Sequence, residues 1–311
     1  MSTVTEQSPP SATSSAAQSP ARQTLRRMLG NTSVRVGGTI ALLIVLMGIF
    51  APFLGTRDPS DISPKNRNKV PGYEATIRDY DGNKIPVVYR MGSDTLGRDV
   101  YSRVVYGART SLIVGATVAV LAIAVGLGLG LVAGYFRLMD GIIMRVMDGM
   151  MAIPAILLAI AVVSLFSAGL TSVIVAIVVA EVPRVVRLVR SVVLSIREEP
   201  YVEAAITAGT PAPLLLLRHV LPNTVAPLIV QGTFIVASAI IVEAILSFLG
   251  IGIPPEVPTW GNIMAEGREV FQLFPHNILY PGAVLALTVL SVNMLGDGLR
   301  DTLDPRFAKR V

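Results

Sequence analysis

Acid–base, nucleophilic or metal chemistry needs particular side chains, and this sequence supplies few of them. It has no cysteine, which removes disulfides, thiolate nucleophiles and cysteine-ligated metals. Its two histidines, His219 and His276, are too few for a multi-histidine centre, so no metal site and no catalytic residue are expected. No G-x-x-x-x-G-K-[ST] loop occurs, so the chain does not cradle ATP phosphates in that way. What remains are polar groups in apolar surroundings. Glu243 lies inside an apolar run, where an unpaired carboxylate costs roughly several kcal/mol. It marks either a cavity or gate, or an acid paired near the outer end of its helix. Gln231 and Asn293 stand in similar runs, with interhelical hydrogen bonding and substrate contact as the competing readings. Arg184, Arg187 and Arg190 recur every three residues and read as lipid-headgroup contacts at a cytoplasmic helix end, in preference to a voltage sensor. Met144, Met147, Met150 and Met151 read as packing, not copper ligands.

The solvent these groups meet follows from composition. The 311 residues are 52% hydrophobic and only 15% charged, with a mean hydropathy of +0.63. Soluble domains carry about 25% charged residues, so this chain has too little polar surface for a water-soluble globule of its size. The formal charge of +5 fits basic loops beside a membrane and gives no reason to expect nucleic acid. Residues 1–35 read as a disordered tail, polar and small at first, then basic through Arg22, Arg26, Arg27 and Arg35. The apolar run after them reads as an uncleaved signal anchor.

A bilayer core of ~30 Å needs about 20 apolar residues per helix. Spans are expected at Val36–Leu54, Ser111–Phe136, Gly149–Phe166, Thr171–Leu194, Asn223–Leu249 and Ile278–Gly296, with a tight turn at Ser167-Ala168-Gly169. The fold class is thus all-α membrane protein with about six transmembrane helices. Fifteen Lys/Arg fall in segments assigned to the inside, against one, Arg268, in the 251–277 loop. That places both termini in the cytoplasm. The 55–110 loop, with ten Lys/Arg and seven acids, reads as a small external subdomain. Within it, Tyr80-Asp81-Gly82-Asn83 between Glu74–Asp79 and Lys84–Arg90 predicts a hairpin, with an irregular loop as the alternative. Val100, Val104 and Ala108 share a face opposite Asp99 and Arg103, predicting an interfacial helix that leads into the second span. Gly126-x-x-x-Gly130-x-x-x-Gly134 predicts close helix approach, either within the chain or against a second one.

Between the fourth and fifth spans, residues 195–222 predict two short helices with a hinge. Pro200 suits a first turn, Gly209 a left-handed cap, and Thr210 and Pro211 the cap and start of the next helix. Pro222 is expected to end that helix at Leu221. The result is a rigid knob whose two small alanines, Ala204 and Ala205, let it lie flush in a groove while Glu203 fixes the register.

Glu203-Ala204-Ala205, Gly209 six positions later and Leu221-Pro222 beyond it resemble the EAA motif of ABC importer permeases. His219 stands where that family usually has an aliphatic residue, and the Arg218-His219-x-Leu221-Pro222-Asn223 run resembles its peptide-importer branch. Gly92-Ser-Asp94 through Asp99 and Arg103, then Ser247–Pro255 with Trp260-Gly261, then Asn293–Arg306 resemble signatures of dipeptide, oligopeptide and nickel importers, C-type subunit. Together they cover about residues 36–311. Val182 departs from the pattern, since relatives often carry an aromatic before the Pro183 equivalent.

The resemblance implies a type I importer permease core over 111–300, with residues 301–311 as a cytoplasmic tail. It also implies a heterodimer with a B-type permease, two ABC ATPase subunits or one fused ATPase, and an extracytoplasmic binding protein, in the inner membrane of a bacterium. ATP and Mg would be bound by the ATPases, leaving no cofactor in this chain. Glu203, Ala204, Ala205, Gly209, His219, Leu221 and Pro222 would couple it to them. Short peptides are the expected cargo, with nickel chelates or glutathione as alternatives. A membrane enzyme lacks an assembled catalytic set here, and an ion-driven secondary transporter usually shows inverted repeats, which are not evident.

Overall fold

The computed structural model describes residues 26–78 and 84–303, so most of the expected N-terminal tail, the tip of the hairpin and most of the C-terminal tail lie outside the described residues. Helix α1 (Thr32–Ile49) opens on Asn31, whose side-chain oxygen accepts from the N–H groups of Ser33 at 2.8 Å and Val34 at 3.3 Å. This cap sets the start four residues ahead of the expected Val36. The helix stops at Ile49, and a 3-10 turn at Ala51–Phe53 follows it.

Strands β1 (Tyr73–Arg78) and β2 (Lys84–Tyr89) pair antiparallel, Tyr73 against Tyr89 and Arg78 against Lys84. The hairpin is therefore present, while its Asp81-Gly82 turn lies outside the described residues. Helix α2 (Val100–Tyr135) then runs unbroken for 36 residues. The expected break near Ser111, between an interfacial helix and a span, does not occur. Asp99 caps the helix by accepting from the Ser102 N–H at 3.0 Å, and the only glycine in its first turns, Gly107, is pressed against Trp260.

Val100, Val104 and Ala108 do face inward, but Arg103, expected on the polar face, is fully buried. Acids drawn from distant segments surround it. Arg98 donates to Asp94 at 2.6 Å and also pairs with Glu266. Arg103 lies 3.7 Å from Asp94 and 3.4 Å from Glu266, and donates to the Pro255 carbonyl at 3.2 Å. Burial lifts the Glu266 carboxyl above the ordinary carboxylate range, with Arg103 and Arg98 opposing that rise. Gly97 makes the turn into this cluster at φ +81°, and a Cβ there would stand 1.9 Å from the Ser63 carbonyl oxygen. Removing one partner strands the opposite charges. Glu266→Leu is expected to cost about 3–5 kcal/mol, read as a lowered Tm of the detergent-purified protein, whereas Glu269→Leu, outside the cluster, is expected to leave Tm close to wild type.

Helix α3 (Arg137–Met151) meets α4 (Ala155–Val163) at a 93° bend around Pro154. The expected span Gly149–Phe166 is thus split, because Pro154 has no N–H to continue the ladder and restrains the residue before it. The turn at Ser167–Gly169 is found, and α5 (Leu170–Arg197) follows it. Two short helices, α6 (Pro200–Thr207) and α7 (Ala212–Leu215), lead into the long α8 (Leu221–Phe248), then α9 (Trp260–Gly267) and α10 (His276–Leu303). Among the described residues four helical segments are long and apolar enough to cross a membrane, or five if the bent pair is one span. The count of about six included Thr171–Leu194. The 28-residue α5 is long enough, but Glu181, Arg184 and Arg187 interrupt its apolar run.

The core is built on small residues. Cβ atoms at Gly126, Gly130 and Gly134 of α2 would fall 2.5–2.6 Å from the Cβ atoms of Val185, Val189 and Val193 of α5. The glycine ladder therefore serves packing within the chain. Val182 is buried in the same core, where its small side chain leaves α5 close to its neighbours. Met147 is buried and Met144 and Met150 pack beside it, while Met151 is exposed. Gly115 of α2 meets Val236 and Ile240 of α8, and Gly37 of α1 meets Ser291 and Leu295 of α10.

Candidate functional site

The knob is assembled by its punctuation. Pro200 occupies the first turn of α6, where its missing N–H is not needed. The helix stops at Gly209, φ +79°, through two bonds that define a Schellman cap: Thr210 N–H to Ala205 O at 3.1 Å and Gly209 N–H to Ile206 O at 2.9 Å. Nothing lies within 4 Å of a Cβ built at Gly209, so the requirement is conformational, not steric. Gly209→Ala is accordingly expected to cost about 1–2 kcal/mol, and Gly209→Asn less, measured as loss of thermal stability of the purified chain.

The start of α7 differs from the expectation. Pro211, not Thr210, is its N-cap, and no side chain caps it. Pro222 does not end a helix either. Leu216–Val220 form one wide π-turn, closed by Leu221 N–H on Leu216 O, and run directly into α8 with Pro222 in its first turn. The wide turn shifts the preceding carbonyls out of the register in which a proline ring would clash with them. One of them, the His219 carbonyl, is taken by the Asn223 side chain at 2.7 Å. The His219 ring stacks obliquely on Tyr201 at 6.1 Å, tying α6 to the π-turn.

The two faces of the knob have different chemistry. Val202, Leu215 and Val220 are fully buried in the main core with Val193 and Ile196 of α5, and Ala205 packs beside them. Glu203, Ala204 and Gly209 are exposed, with Tyr201, Ile206 and Leu214 exposed around them. Helix α6 thus offers one carboxylate of its own among small and apolar surfaces on a rigidly anchored support. Ala205 does not share that free face, and Leu221 and Pro222 belong to the root of α8.

The residues read as pathway or gate do not converge. Glu243 is fully buried on α8, where its Oε1 accepts from the Ser247 hydroxyl at 2.8 Å. Gln231, half-buried, lies twelve residues along the same helix, about 18 Å away. Half-buried Asn293 sits on α10, three residues before Gly296, which packs on Thr233. Glu243 also helps anchor the loop behind it: Ser247 accepts from Ile253 N–H at 3.4 Å, and Thr259 caps α9 by accepting from Asn262 N–H.

The arginine series was read toward lipid headgroups, and the structure pairs it with carboxylates. Arg184 donates to Glu181 at 3.0 Å, Arg187 to Asp148 at 2.7 Å and Arg190 to Asp140 at 2.7 Å. Asp140 and Asp148, two turns apart on the short helix α3, were the available signal. Among the described residues no group of acids and histidines is arranged to hold a metal ion.

A bundle of long apolar helices with such a knob defines a multi-pass membrane protein. The family described as "Binding-protein-dependent transport system inner membrane component" matches residues 126–309, and that described as "N-terminal TM domain of oligopeptide transport permease C" matches residues 19–71. The chain belongs to the family of binding-protein-dependent transport system inner membrane components, the permease chains of ABC transporters. It is 48% identical over 301 residues to a probable peptide ABC transporter permease protein of Sinorhizobium fredii, covering 96% of this chain and 98% of that one. It is 40% identical over 300 residues to the dipeptide transport system permease protein of Alkalihalophilus pseudofirmus, covering 96% and 94%. Identity is 36% over 291 residues to the glutathione transport system permease protein of Pectobacterium atrosepticum, covering 93% and 92%. Its fold is that of a chain in the inward-facing MetNI methionine ABC transporter, with a TM-score of 0.51 and 17% identity over 64% of this chain and 95% of that one.

Proposed function

We propose that this chain is one half of the membrane pathway of an ATP-driven importer of short peptides. A second, B-type permease supplies the other half, an extracytoplasmic binding protein delivers cargo, and two ABC ATPase subunits, or one fused ATPase, bind Mg-ATP beneath the membrane. The termini and the knob lie in the cytoplasm, and the hairpin outside. The observation that carries this reading is the division of the knob: Val202, Leu215 and Val220 are locked into the core, while Glu203 and Ala204 stand free beside the left-handed turn at Gly209. A part held this firmly on one side and free on the other transmits motion from a separate motor. Relatives whose names specify peptide or dipeptide transport support the cargo assignment. The glutathione permease relative supports a second cargo, itself a peptide with free carboxylates.

Two measurements test the proposal. Mild purification of the tagged chain is expected to bring down a second permease and ATPase subunits, and a chain that transports alone on a proton gradient contradicts it. Uptake of labelled di- to hexapeptides, glutathione and nickel chelate by cells with and without the chain assigns the cargo. Peptide uptake that does not depend on the chain removes the peptide reading.

A further inference from the structure

The exposed faces of the long helices are aliphatic, as a lipid-facing surface must be. Val120, Leu121 and Val125 are exposed on α2, Ile241 and Ile245 on α8, and Leu279, Leu287 and Leu290 on α10. One face breaks the pattern. On the half of α5 that approaches the knob, the exposed residues pointing away from α2 begin with Arg184, Arg187 and Ser191 and continue to Leu194 and Ser195, with the two arginine side chains 47% and 49% open. Their spacing of three and four places them on one side of the helix, opposite Val185, Val189 and Val193, which pack on the glycine ladder of α2.

Depth makes this unusual. At 1.5 Å per residue, Glu181 lies about 17 Å, Arg187 about 26 Å and Ser191 about 32 Å along α5 from its start, so against a hydrocarbon core of ~30 Å this face runs from mid-depth to the edge on the knob side. An independent marker agrees. Ser238 of α8, whose hydroxyl donates to Glu181 at 2.8 Å, lies about 15 Å from the far end of its own helix. Open guanidinium groups at that depth are costly against lipid and belong beside water or protein.

We infer that the free face of α5 from Arg184 to Ser191, with Asp148 on α3, is the wall of the translocation path in this half of the transporter and takes substrates bearing one positive and one negative terminus. The inference rests on the permease reading. The charges along this face are balanced, Arg184 by Glu181 and Arg187 by Asp148. A strip of one sign would trap an ion of the other sign. An exposed pair of opposite charges lets a zwitterion exchange partners with it, its carboxylate with Arg187 and its ammonium with Asp148, at little net electrostatic cost. The Arg187–Asp148 pair, exposed on both sides, is the more open to exchange. Glu181 is buried and also held by Ser238, so it positions Arg184.

The absence of cysteine makes the test direct. The complete transporter, reconstituted with its partners in vesicles, carries Ser191→Cys or Arg187→Cys as the only thiol of this chain, and labelling by a charged methanethiosulfonate is followed as a mass shift of the chain. Both positions are expected to react at least about tenfold faster than Leu290→Cys, because the reactive thiolate forms in water and not in lipid. A dipeptide with free termini is expected to slow both reactions, and the same dipeptide acetylated and amidated is not. The nearly isosteric Ser191→Cys keeps the test valid should Arg187→Cys fail to assemble. Labelling as slow as at Leu290, or equal protection by both peptides or by neither, overturns the inference. Peptide uptake by the unmodified transporter tests the permease reading separately, so an active importer with an unreactive residue 191 refutes this wall alone.

Discussion

Glu203→Lys is expected to leave the chain inserted and assembled in the membrane while cutting peptide uptake at least about 30-fold, since disrupting one partner of a docked charge pair costs about 2–5 kcal/mol or more. The reasoning is local. Glu203 is exposed in the first turn of α6, is not needed for the cap at Gly209, and contributes nothing to the buried face made by Val202, Leu215 and Val220. Its reversal therefore leaves the fold alone and changes only what the knob presents. Glu198→Lys, an exposed acid just outside α6, is the control for bulk charge and is expected to retain most uptake. Gly209→Pro is expected to uncouple by a different route, because a proline held near φ −65° cannot occupy φ +79° and the two short helices lose their angle. Labelled-peptide uptake and ATPase activity are measured together on the same vesicles. Normal uptake by both variants removes the knob from the coupling mechanism.

Gly130→Leu is expected to abolish accumulation of folded chain. The Cβ alone would lie 2.6 Å from the Val189 Cβ and 3.0 Å from the Val186 carbonyl oxygen. Gly130→Ala is the graded version, with an expected loss of about 1–3 kcal/mol from overpacking. Because the shortest contacts are with one side chain, Val189→Gly in the same chain is expected to recover part of that loss, a coupling that the double-mutant cycle isolates. Gly128→Ala, on the same helix with nothing within 4 Å of the new Cβ, is expected to be neutral. Fluorescence-detected size-exclusion chromatography after heating reads all four. Equal damage at positions 128 and 130 shows that the ladder does not govern the α2–α5 contact.

The parts of this structure that could be read from residues alone are those governed by neighbours in sequence. Pro200 and Gly209 act on their own backbone, so the limits of α6 follow from them. The Asp81-Gly82 pair between Glu74–Asp79 and Lys84–Arg90 points to the hairpin for the same reason. Reading failed where a partner from a distant segment decides the outcome. Arg103 has the spacing of a solvated helix face and is buried because Glu266, Asp94 and the Pro255 carbonyl meet it. The arginine series of α5 has its counter-ions on α3, across a loop and a bend. Pro222 failed differently. Proline ordinarily marks a helix limit, but the wide turn before it relieves the clash, and nothing in residues 216–220 announces such a turn. Within the candidate site, the exposed positions of Glu203, Ala204 and Gly209 fit the motif, whereas Glu243, Gln231 and Asn293 were singled out by polarity alone and do not form one place.

The unbroken passage from α7 through the wide turn into α8 makes a single rod of 37 residues, Ala212–Phe248, about 55 Å long. Such a rod behaves as a lever. One close support is where Gly115 of α2 meets Val236 and Ile240, well beyond its midpoint. A tilt of about 10° around that support, carrying along the α5 residues on which Leu215 and Val220 pack, sweeps the knob end through roughly 6 Å, while the opposite tip travels only about half as far. A joint at Pro222 would have absorbed that stroke before it reached the bilayer.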